Sequence, residues 1–296
     1  MTLGTVGVIG LGNMGRHVVG HLLAAGHEVL VHSRSRPPIE RALTQGAVEA
    51  DGPAGLGAAC DTVITFLPAD AEVRQILLGA DGVLSTAGAG TVLIDMSTVA
   101  PETARAVATA AAVRGVSALD APVSGGPAGA RDATMAIMVG GDPEVFAAAK
   151  PLLETLGGTV VHVGPSGAGQ VTKSANQLVV AAIIQALSEA IALLEASGVD
   201  PEQALRAIGG GLAGNQVLAT KGAAMLRRDF APGGRAELHH KDLGIALAAA
   251  RDAGVFVPVS ALIHQLFGAL SATGRGSLDH SALLALVDEF SGVARE

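Results

Sequence analysis

The sequence predicts an α/β domain with a doubly wound, mostly parallel sheet, followed by an all-α domain. Up to about residue 164, short runs rich in Val and Ile alternate with Ala-rich helical stretches, which is typical of a parallel sheet covered by helices on both faces. From residue 168 to 197 the pattern is that of one long helix, and strand patterns stop. Because 296 residues exceed most single cores, we predict two domains, 1–164 and 165–296.

Seven short apolar runs in the first half predict strands, because turn residues bound each of them. They are "TVGVI" (5–9), "EVLVH" (28–32), "TVITFL" (62–67), "TVLIDM" (91–96), "SALD" (117–120), "MAIMV" (135–139) and "TVVHV" (159–163). Helix starts are predicted where Asp142 and Asp200 each precede a Pro and a Glu, since this order supplies an N-cap and an acid for the helix dipole. Gly198 ends the long helix, and further helices are predicted near 238–253, 257–272 and 280–290.

Composition and charge exclude several classes of partner. The formal charge is −8 without a Lys/Arg run, Trp and Tyr are absent, and Phe occurs only 6 times. Nucleic acid and acidic membrane surfaces are therefore not expected to bind. The single Cys60 rules out a disulfide framework and fits a reducing compartment.

The apolar segments do not predict secretion or membrane insertion. The N-terminal "MTLGTVGVIG" has neither a basic region nor a cleavage site of small residues, so no signal peptide is expected. Polar residues interrupt the apolar run 178–194, which predicts a buried helix and not a membrane span. We therefore predict a cytoplasmic protein.

The first strand leads into a glycine-rich turn that predicts a dinucleotide site. "VGVIGLGNMG" places Gly10, Gly12 and Gly15 in the order G-x-G-x-x-G, directly after a strand and at the start of a helix. The first glycine permits the tight turn, the second allows close approach of a pyrophosphate, and the third allows close packing of helix and strand. An ordinary glycine turn is the alternative, but this context favours a Rossmann-like domain that binds a dinucleotide at Gly10, Leu11, Gly12 and Gly15.

The end of the second strand predicts NADP as the coenzyme. NAD-binding domains usually carry an acid there for the ribose 2′-hydroxyl, yet this sequence has no acid between Glu28 and Glu40. Ser33, Arg34 and Ser35 instead offer hydroxyls and a guanidinium, which suit a 2′-phosphate. The alternative is that Arg34 and Arg36 are solvated loop charges, and NAD stays possible as the coenzyme.

Two stretches contain candidate catalytic groups. In "LDAPVSGGPAG" (119–129), Ser124, Gly125 and Gly126 can hold a carboxylate or an oxyanion, although a structural glycine turn explains the spacing nearly as well. In "GAGQVTKSANQ" (167–177), Lys173 is the only formal charge between Glu154 and Glu189, and Asn176 and Gln177 follow on the same helical face. Lys173 can protonate a carbonyl oxygen, or it can extend its ammonium to solvent or to a distant acid.

A third stretch, "RAELHHKDLGIAL" (235–247), contains Lys241 and two adjacent histidines. An ion pair between Glu237 and Lys241 is the default interpretation, because the two residues are four apart on a helix. His239 and His240 point about 100° apart on a helix, and no further ligand spacing completes a metal site. We therefore predict chemistry without a metal.

Taken together, "IGLGNMG", "DAPVSGG", "GAGQVTKSANQ" and "KDL" resemble the β-hydroxyacid dehydrogenase family, in this order and over essentially the whole chain. The resemblance implies an NAD(P)-dependent enzyme in which Lys173 is the catalytic proton donor. It also implies that Ser124, Gly125, Gly126 and Asn176 bind the substrate. The cofactor contacts that it implies are Asn13, Met14, Leu67, Pro68, Thr98 and Lys241.

Other stretches narrow the resemblance to family members that reduce tartronate semialdehyde to D-glycerate. These stretches are "GGLAGNQVLATK" (210–221), "PGGRAELHHKDL" (232–243) and "GRGSLDHSALLALVDEF" (274–290), together with Gln177. One departure is Gly234, where that subgroup usually has Phe, and it is expected to widen or loosen the site. The resemblance implies that the substrate is a small carboxylate-bearing aldehyde or hydroxy acid, and that the chain forms a homodimer or homotetramer.

Three alternatives remain open from the sequence: two concern the substrate, and one concerns whether the protein is an enzyme. The substrate can be that of 3-hydroxyisobutyrate dehydrogenases or of glyoxylate and succinic semialdehyde reductases. Imine reductases share the architecture but usually replace the lysine, so Lys173 argues against that branch. From a different class, the chain can be an NADP-binding module without catalysis, which needs the glycine turn but not Lys173.

Overall fold

The computed structural model describes residues 4–292 and confirms the predicted fold class, a doubly wound Rossmann-like domain followed by helices. The described residues form two compact units that divide between Lys173 and Ser174. The boundary predicted at 164/165 coincides with the end of the last strand, nine residues earlier. The first unit therefore includes the beginning of the long helix.

The first unit is built on a nine-stranded sheet in the order β3-β2-β1-β4-β5-β6-β8-β7, with β9 added on β8. Strands β1 to β6 pair in parallel, β8 runs antiparallel to β6 and β7, and β9 is parallel to β8. The strands are β1 (Thr5–Ile9), β2 (Glu28–His32), β3 (Val48–Glu49), β4 (Thr62–Thr65), β5 (Val92–Asp95), β6 (Ser117–Asp120), β7 (Val123–Ser124), β8 (Ala136–Gly140) and β9 (Thr159–Gly164). The sequence missed β3 and β7, because two residues are too few to show an alternating pattern.

Helices cover the sheet and form the second unit. Those that begin in the first unit are α1 (Gly15–Ala24), α2 (Arg36–Thr44), α3 (Gly52–Ala59), α4 (Asp70–Leu78), α5 (Pro101–Val113), α6 (Gly126–Arg131), α7 (Pro143–Glu154) and α8 (Ala168–Ala196). The second unit continues α8 and adds α9 (Pro201–Gly209), α10 (Gln216–Leu226), α11 (Ala236–Asp252), α12 (Pro258–Leu270) and α13 (Leu283–Phe290). A single-turn 3₁₀ helix, His280–Ala282, precedes α13.

Alternating side chains of the sheet enter two aliphatic cores, one on each face. Val6 and Val8 of β1 belong to one core, whereas Ile9 belongs to the other, so both faces of the strand are buried. The second unit has cores of its own, and fully buried Phe267 lies in the larger of them. Each unit therefore buries its own apolar surface.

The predicted helix caps are present. Asp142 accepts hydrogen bonds from the amides of Glu144 (2.8 Å) and Val145 (3.1 Å) at the start of α7. Asp200 caps α9 in the same way. Gly198, with φ +71°, follows the end of α8, as predicted.

Among the described helices, α8 is the one that is long and apolar enough to cross a membrane. Its most apolar 18-residue window has a mean hydropathy of 1.9, and 33% of that window is buried. Length and composition alone do not identify a membrane span, because a core helix of a soluble protein meets the same criteria.

Candidate active site

The loops that contain the predicted cofactor residues of the first unit lie at one edge of the sheet. They follow β1, β2, β4 and β5, which are parallel neighbours, so their carboxyl ends meet at the same edge. The chain passes from β1 to β2 on one side, while β4 lies on the other side of β1. Ligands of doubly wound sheets bind at such a reversal of strand order.

The glycine turn after β1 leaves space next to its second glycine. Gly10 has φ +95°, and a Cβ there would lie 2.2 Å from the carbonyl oxygen of Phe66. A Cβ on Gly15 would lie 2.0 Å from the carbonyl oxygen of Gly10, whereas a Cβ on Gly12 would meet nothing within 4 Å. The fold itself therefore requires Gly10 and Gly15, and the open space at Gly12 fits the approach of a pyrophosphate. The side chain of Leu11 is buried in the core, so only its backbone is available to a ligand.

After β2, the two arginines differ in their partners. Arg36 forms ion pairs with Glu40 (3.2 Å) and Glu49 (2.6 Å). Arg34 is exposed, and it has no ion pair within residues 4–292. With Ser33 and Ser35 beside it, Arg34 can bind a phosphate, whereas Arg36 is already paired with carboxylates.

A buried serine joins the loops after β4 and β5. The hydroxyl of Ser97 accepts a hydrogen bond from the amide of Leu67 (2.8 Å), and the amide of Ser97 donates to Oδ1 of Asp95 (3.1 Å). The hydroxyl of Thr65 donates to the same oxygen (2.7 Å). These bonds hold together the loops that carry Leu67, Pro68 and Thr98.

The side chain of Asp95, at the end of β5, is buried in the first unit. Burial raises the pKa of its carboxyl, although hydrogen bonds from Ser97 and Thr65 oppose the shift. Its Oδ2 has no hydrogen-bond partner among the described residues. The carboxyl is therefore held by one oxygen only.

The predicted substrate loop begins where β7 ends. Pairings Asp120↔Gly140 and Val123↔Ile137 show that β7 continues β6 along the same side of β8. Gly125 and Gly126 then adopt φ of +131° and +61°, and a Cβ on Gly126 would meet nothing within 4 Å. The backbone after Ser124 is thus open to a ligand, and its turn requires residues without side chains.

Lys173 lies on the second turn of α8 and is only 7% exposed. The helix is continuous through Asn176 and Gln177, so these three residues project within about 100° of one another, as predicted. Sequence reasoning missed Asp120 and Gln170, which connect the start of α8 to the sheet. An acid at the carboxyl end of a buried strand was the signal that could have revealed Asp120.

In the helical unit, a chain of polar contacts runs between two predicted site residues. Nδ2 of Asn176 donates to Oε1 of Gln177 (3.0 Å), and Nε2 of Gln177 donates to Oδ2 of Asp242 (2.7 Å). Lys241 approaches the other oxygen of that carboxylate at 3.1 Å. Lys241 thus has an acidic partner other than Glu237, which itself pairs with Arg235.

The histidines of α11 are engaged in packing and hydrogen bonds. His239 stacks on Phe267, and its Nδ1 lies 2.8 Å from Nδ1 of His280. The described residues contain no group of three or more His, Cys, Asp or Glu side chains placed to hold a metal ion. A Cβ on Gly234 would lie 3.4 Å from the His280 ring, so the imidazole occupies the space beside that glycine.

Comparisons with known proteins cover nearly the whole chain. A sequence model for the NAD-binding domain of 6-phosphogluconate dehydrogenase matches residues 5–164, and a model for the NAD-binding region of NADP-dependent 3-hydroxyisobutyrate dehydrogenase matches 167–287. The 2-hydroxy-3-oxopropionate reductase of Escherichia coli is 38% identical over 283 residues, 96% of this chain and 97% of that protein. The chain belongs to the β-hydroxyacid dehydrogenase family.

Two further relatives agree with this assignment. The 3-hydroxyisobutyrate dehydrogenase of Pseudomonas aeruginosa is 39% identical over 285 residues, 94% of this chain and 95% of that protein. The solved structure of Mycobacterium tuberculosis 3-hydroxyisobutyrate dehydrogenase with L-serine has a TM-score of 0.87 and 33% identity, and the match covers 97% of this chain and 99% of that one.

Membership of the β-hydroxyacid dehydrogenase family establishes the class of reaction. The protein is an NAD(P)-dependent hydroxyacid dehydrogenase, with NADP as coenzyme and NAD as the alternative. The hypothesis of a coenzyme-binding module without catalysis is therefore abandoned. The relatives carry different substrate names at nearly equal identity, so the class is established without the individual substrate.

Proposed function

We propose that this β-hydroxyacid dehydrogenase reduces a short semialdehyde acid, tartronate semialdehyde to D-glycerate, with Lys173 as the proton donor. The observation that carries the proposal is the placement of a buried lysine, 7% exposed, on an apolar helix beside Asn176. Burial of an ammonium is costly, so its presence indicates a use. The coenzyme, when bound, supplies the hydride.

The chain's own residues would bind the substrate and handle the proton. Ser124 and the amides of Gly125 and Gly126 would hold the substrate carboxylate on the open backbone after β7. Asn176 would bind the substrate oxygen through its amide. Lys173, charged in the reductive direction, would give its proton from Nζ to the carbonyl oxygen, and in the reverse direction the neutral amine would remove the hydroxyl proton.

The choice of substrate rests on the subgroup stretches and on the relative from Escherichia coli named 2-hydroxy-3-oxopropionate reductase, another name for tartronate semialdehyde reductase. The runner-up is 3-hydroxyisobutyrate, since the relative from Pseudomonas aeruginosa named for that substrate is equally similar. A panel of semialdehydes and hydroxy acids, followed at the nicotinamide absorbance band, decides between them. The proposal predicts the highest kcat/KM for tartronate semialdehyde, and a higher value for any other panel member would contradict it.

The role of Lys173 is tested by Lys173→Ala. This variant should bind coenzyme normally and lose about 10²–10⁴-fold in kcat, the usual contribution of a positioned acid. Lys150→Ala is the matched control, because Lys150 is an exposed helical lysine paired with Glu154. A Lys173→Ala protein that keeps kcat within a few-fold of wild type would show that the proton comes from elsewhere.

For coenzyme choice, we propose that Arg34, with Ser33 and Ser35, binds the 2′-phosphate of NADP. Arg34→Ala should lower the ratio of kcat/KM with NADPH to that with NADH by about tenfold or more, the loss of a charge-assisted contact. Arg36→Ala should leave the ratio unchanged, because Arg36 is paired with Glu40 and Glu49. Equal ratios in wild type and Arg34→Ala would remove Arg34 from the site.

We also propose that the protein is cytoplasmic and self-associates as a homodimer or homotetramer. Val171, Val179 and Leu193 of α8 are exposed, although the helix is strongly apolar. Exposed apolar faces of this kind are usually covered by a partner. We keep the division at 164/165 as the proposed boundary between the coenzyme domain and the substrate domain.

A further inference from the structure

The start of α8 is capped by the side chain of a residue of the sheet, Asp120. Oδ1 of Asp120 accepts the amide of Gly167 at 2.7 Å, and Oδ2 accepts the amide of Gln170 at 3.0 Å. Asp142 and Asp200, by contrast, cap α7 and α9 from the position just before each helix. A local cap stabilises a helix wherever the helix lies, whereas a cap from β6 also fixes where α8 begins on the sheet.

Gln170 adds a second connection in the same turn. Its side chain is fully buried, its Oε1 accepts the amide of Val99 (3.1 Å), and its Nε2 donates to the carbonyl of Ser97 (2.9 Å). Both partners lie in the loop after β5, on either side of Thr98. The first turn of α8 is therefore held at two places, by β6 and by the loop that follows β5.

Glycines allow these contacts by bringing the backbones close together. A Cβ on Gly169 would lie 2.5 Å from the carbonyl oxygen of Met138 and 2.6 Å from that of Asp120. A Cβ on Gly140 would lie 2.6 Å from Oδ1 of Asp120. The Asp120 carboxylate is thus enclosed by backbone, and the helix start has little freedom to shift.

Lys173 follows Gln170 by three residues, less than one turn and about 4.5 Å along the helix axis. A helix turn is rigid over this distance, so the contacts of Asp120 and Gln170 determine where the Lys173 backbone lies. We propose that Asp120 and Gln170 are positioning residues that hold the Lys173 ammonium in register for proton transfer. This inference rests on the proposed function of Lys173.

The charge of Asp120 gives the proposal a pH signature. Burial raises the pKa of Asp120 to about 6, against the hydrogen bonds from Gly167 and Gln170, and the carboxyl of Asp95 on the neighbouring strand raises it further. Other charged groups near this turn are Lys173 itself and Arg105 of α5, whose guanidinium lies beside Gly167. Protonation of Asp120 converts one accepting oxygen into a hydroxyl, so below about pH 6 the cap loses one of its two bonds.

The test compares Asp120→Asn with wild type in the reductive direction. The amide keeps one accepting oxygen but places an NH₂ against the second backbone amide, so the helix start shifts. We expect kcat to fall roughly 10–100-fold, as misplacement of a reacting group by about 1 Å can cause. The affinity for NADPH should stay within about threefold, the solvent deuterium isotope effect on kcat should rise, and the fall of wild-type kcat below about pH 6 should be absent.

Two controls separate positioning from general damage. Asp142→Ala removes a helix cap in the same unit, so it should lower Tm and leave kcat and its pH profile unchanged. Gln170→Asn shortens by one methylene the side chain that connects α8 to the loop after β5, so it should reproduce the loss of kcat. If Asp120→Asn does not fold, Gln170→Asn replaces it in the test. Wild-type kcat and pH profile in Asp120→Asn, or an equal kcat loss in Asp142→Ala, would overturn the inference.

Lys173→Ala, measured in parallel, tests the function of Lys173 separately from the positioning role of Asp120 and Gln170. If Lys173→Ala is inactive while Asp120→Asn behaves as wild type, the positioning role fails and the function of Lys173 stands. If Lys173→Ala keeps its turnover, the proposed function fails, and the positioning role fails with it.

Discussion

In the first unit the carboxylates of Asp95 and Asp120 are buried among backbone amides and hydroxyls, whereas in the helical unit Asp279 and Asp288 are buried against cations. Asp120 accepts two amides, and no ion pair of Asp95 or Asp120 occurs within residues 4–292. Lys221 binds Asp279 at 2.8 and 3.0 Å. Arg228 bridges Glu195 and Asp288. The two units therefore satisfy buried charge by different means.

As a result, the pKa values of Asp120 and Asp279 shift in opposite directions. Burial raises the pKa of Asp95 and brings that of Asp120 to about 6, because hydrogen bonds alone do not compensate for it. Burial acts on Asp279 in the same direction, but the charges of His280 and Lys221 outweigh it and lower the pKa of that carboxyl. The hydrogen bonds that Arg228 donates to Glu195 and Asp288 similarly outweigh burial and raise the pKa of its guanidinium.

The different surroundings of the buried carboxylates suit different tasks in the two units. A carboxylate held by amides at the sheet edge can orient a helix start and a loop, and its protonation state responds near neutral pH. A carboxylate paired with a cation joins elements: Arg228 connects the end of α8 to α13. Substitutions in the two units should therefore have unequal effects on stability and on pH dependence.

The largest effect is expected from Arg228→Met. Removing the guanidinium deprives buried Asp288 and partly buried Glu195 of the cation that bridges them, which should cost about 3–5 kcal/mol of the free energy of unfolding. Arg36→Met is the matched control, since the Arg36 side chain is 56% exposed and solvent screens its ion pairs, so its loss of stability should be far smaller. Denaturant unfolding measures both, and equal losses would remove the distinction between buried and exposed pairs.

The raised pKa of the Asp120 carboxyl should be visible in the pH dependence of the free energy of unfolding. Its pKa is about 6 in the folded protein and about 3.9 in the unfolded chain, so its contribution is present at low pH and is lost as pH rises through about 6. Between pH 7 and pH 4, wild type should gain up to about 3 kcal/mol relative to Asp120→Asn. Asp279 behaves oppositely and loses its contribution only below about pH 4.

Unfolding of wild type and Asp120→Asn at pH 7, 5.5 and 4.5 checks this sign. The gap in unfolding free energy should move in favour of wild type as pH falls. A gap that does not change with pH would mean that Asp120 has an ordinary pKa.

The smallest effect is expected from Asp95→Asn. Oδ1 would still accept from Thr65 and Ser97, and the new amide would replace an oxygen that has no partner in the described structure. The cost should stay below about 1 kcal/mol, whereas Asp279→Asn should cost at least about 2 kcal/mol because Lys221 loses its carboxylate. Equal losses in these two Asp→Asn variants would contradict the comparison.

Local patterns in the sequence were sufficient to predict most of the strands and helices and the coenzyme. Alternating apolar runs, the caps at Asp142 and Asp200, and the turn at Gly10–Gly15 each depend on residues close together in the chain, and the structure shows all of them. The short strands β3 and β7 were not predicted, because their pairing depends on partners distant in sequence. The roles of Lys173 and Asn176 remain predictions that came from ordered motifs and not from spacing.

The sequence by itself determined the fold class, the coenzyme turn and the lone charge of α8, because short-range sterics and hydrophobic periodicity govern these features. Tertiary structure alone decided which buried groups meet. Asp120 reaches Gly167 across 47 residues, Gln170 reaches Val99 across 71, and Arg228 reaches Asp288 across 60. Such contacts arise when separate elements pack, and a single sequence does not record which distant residues become neighbours.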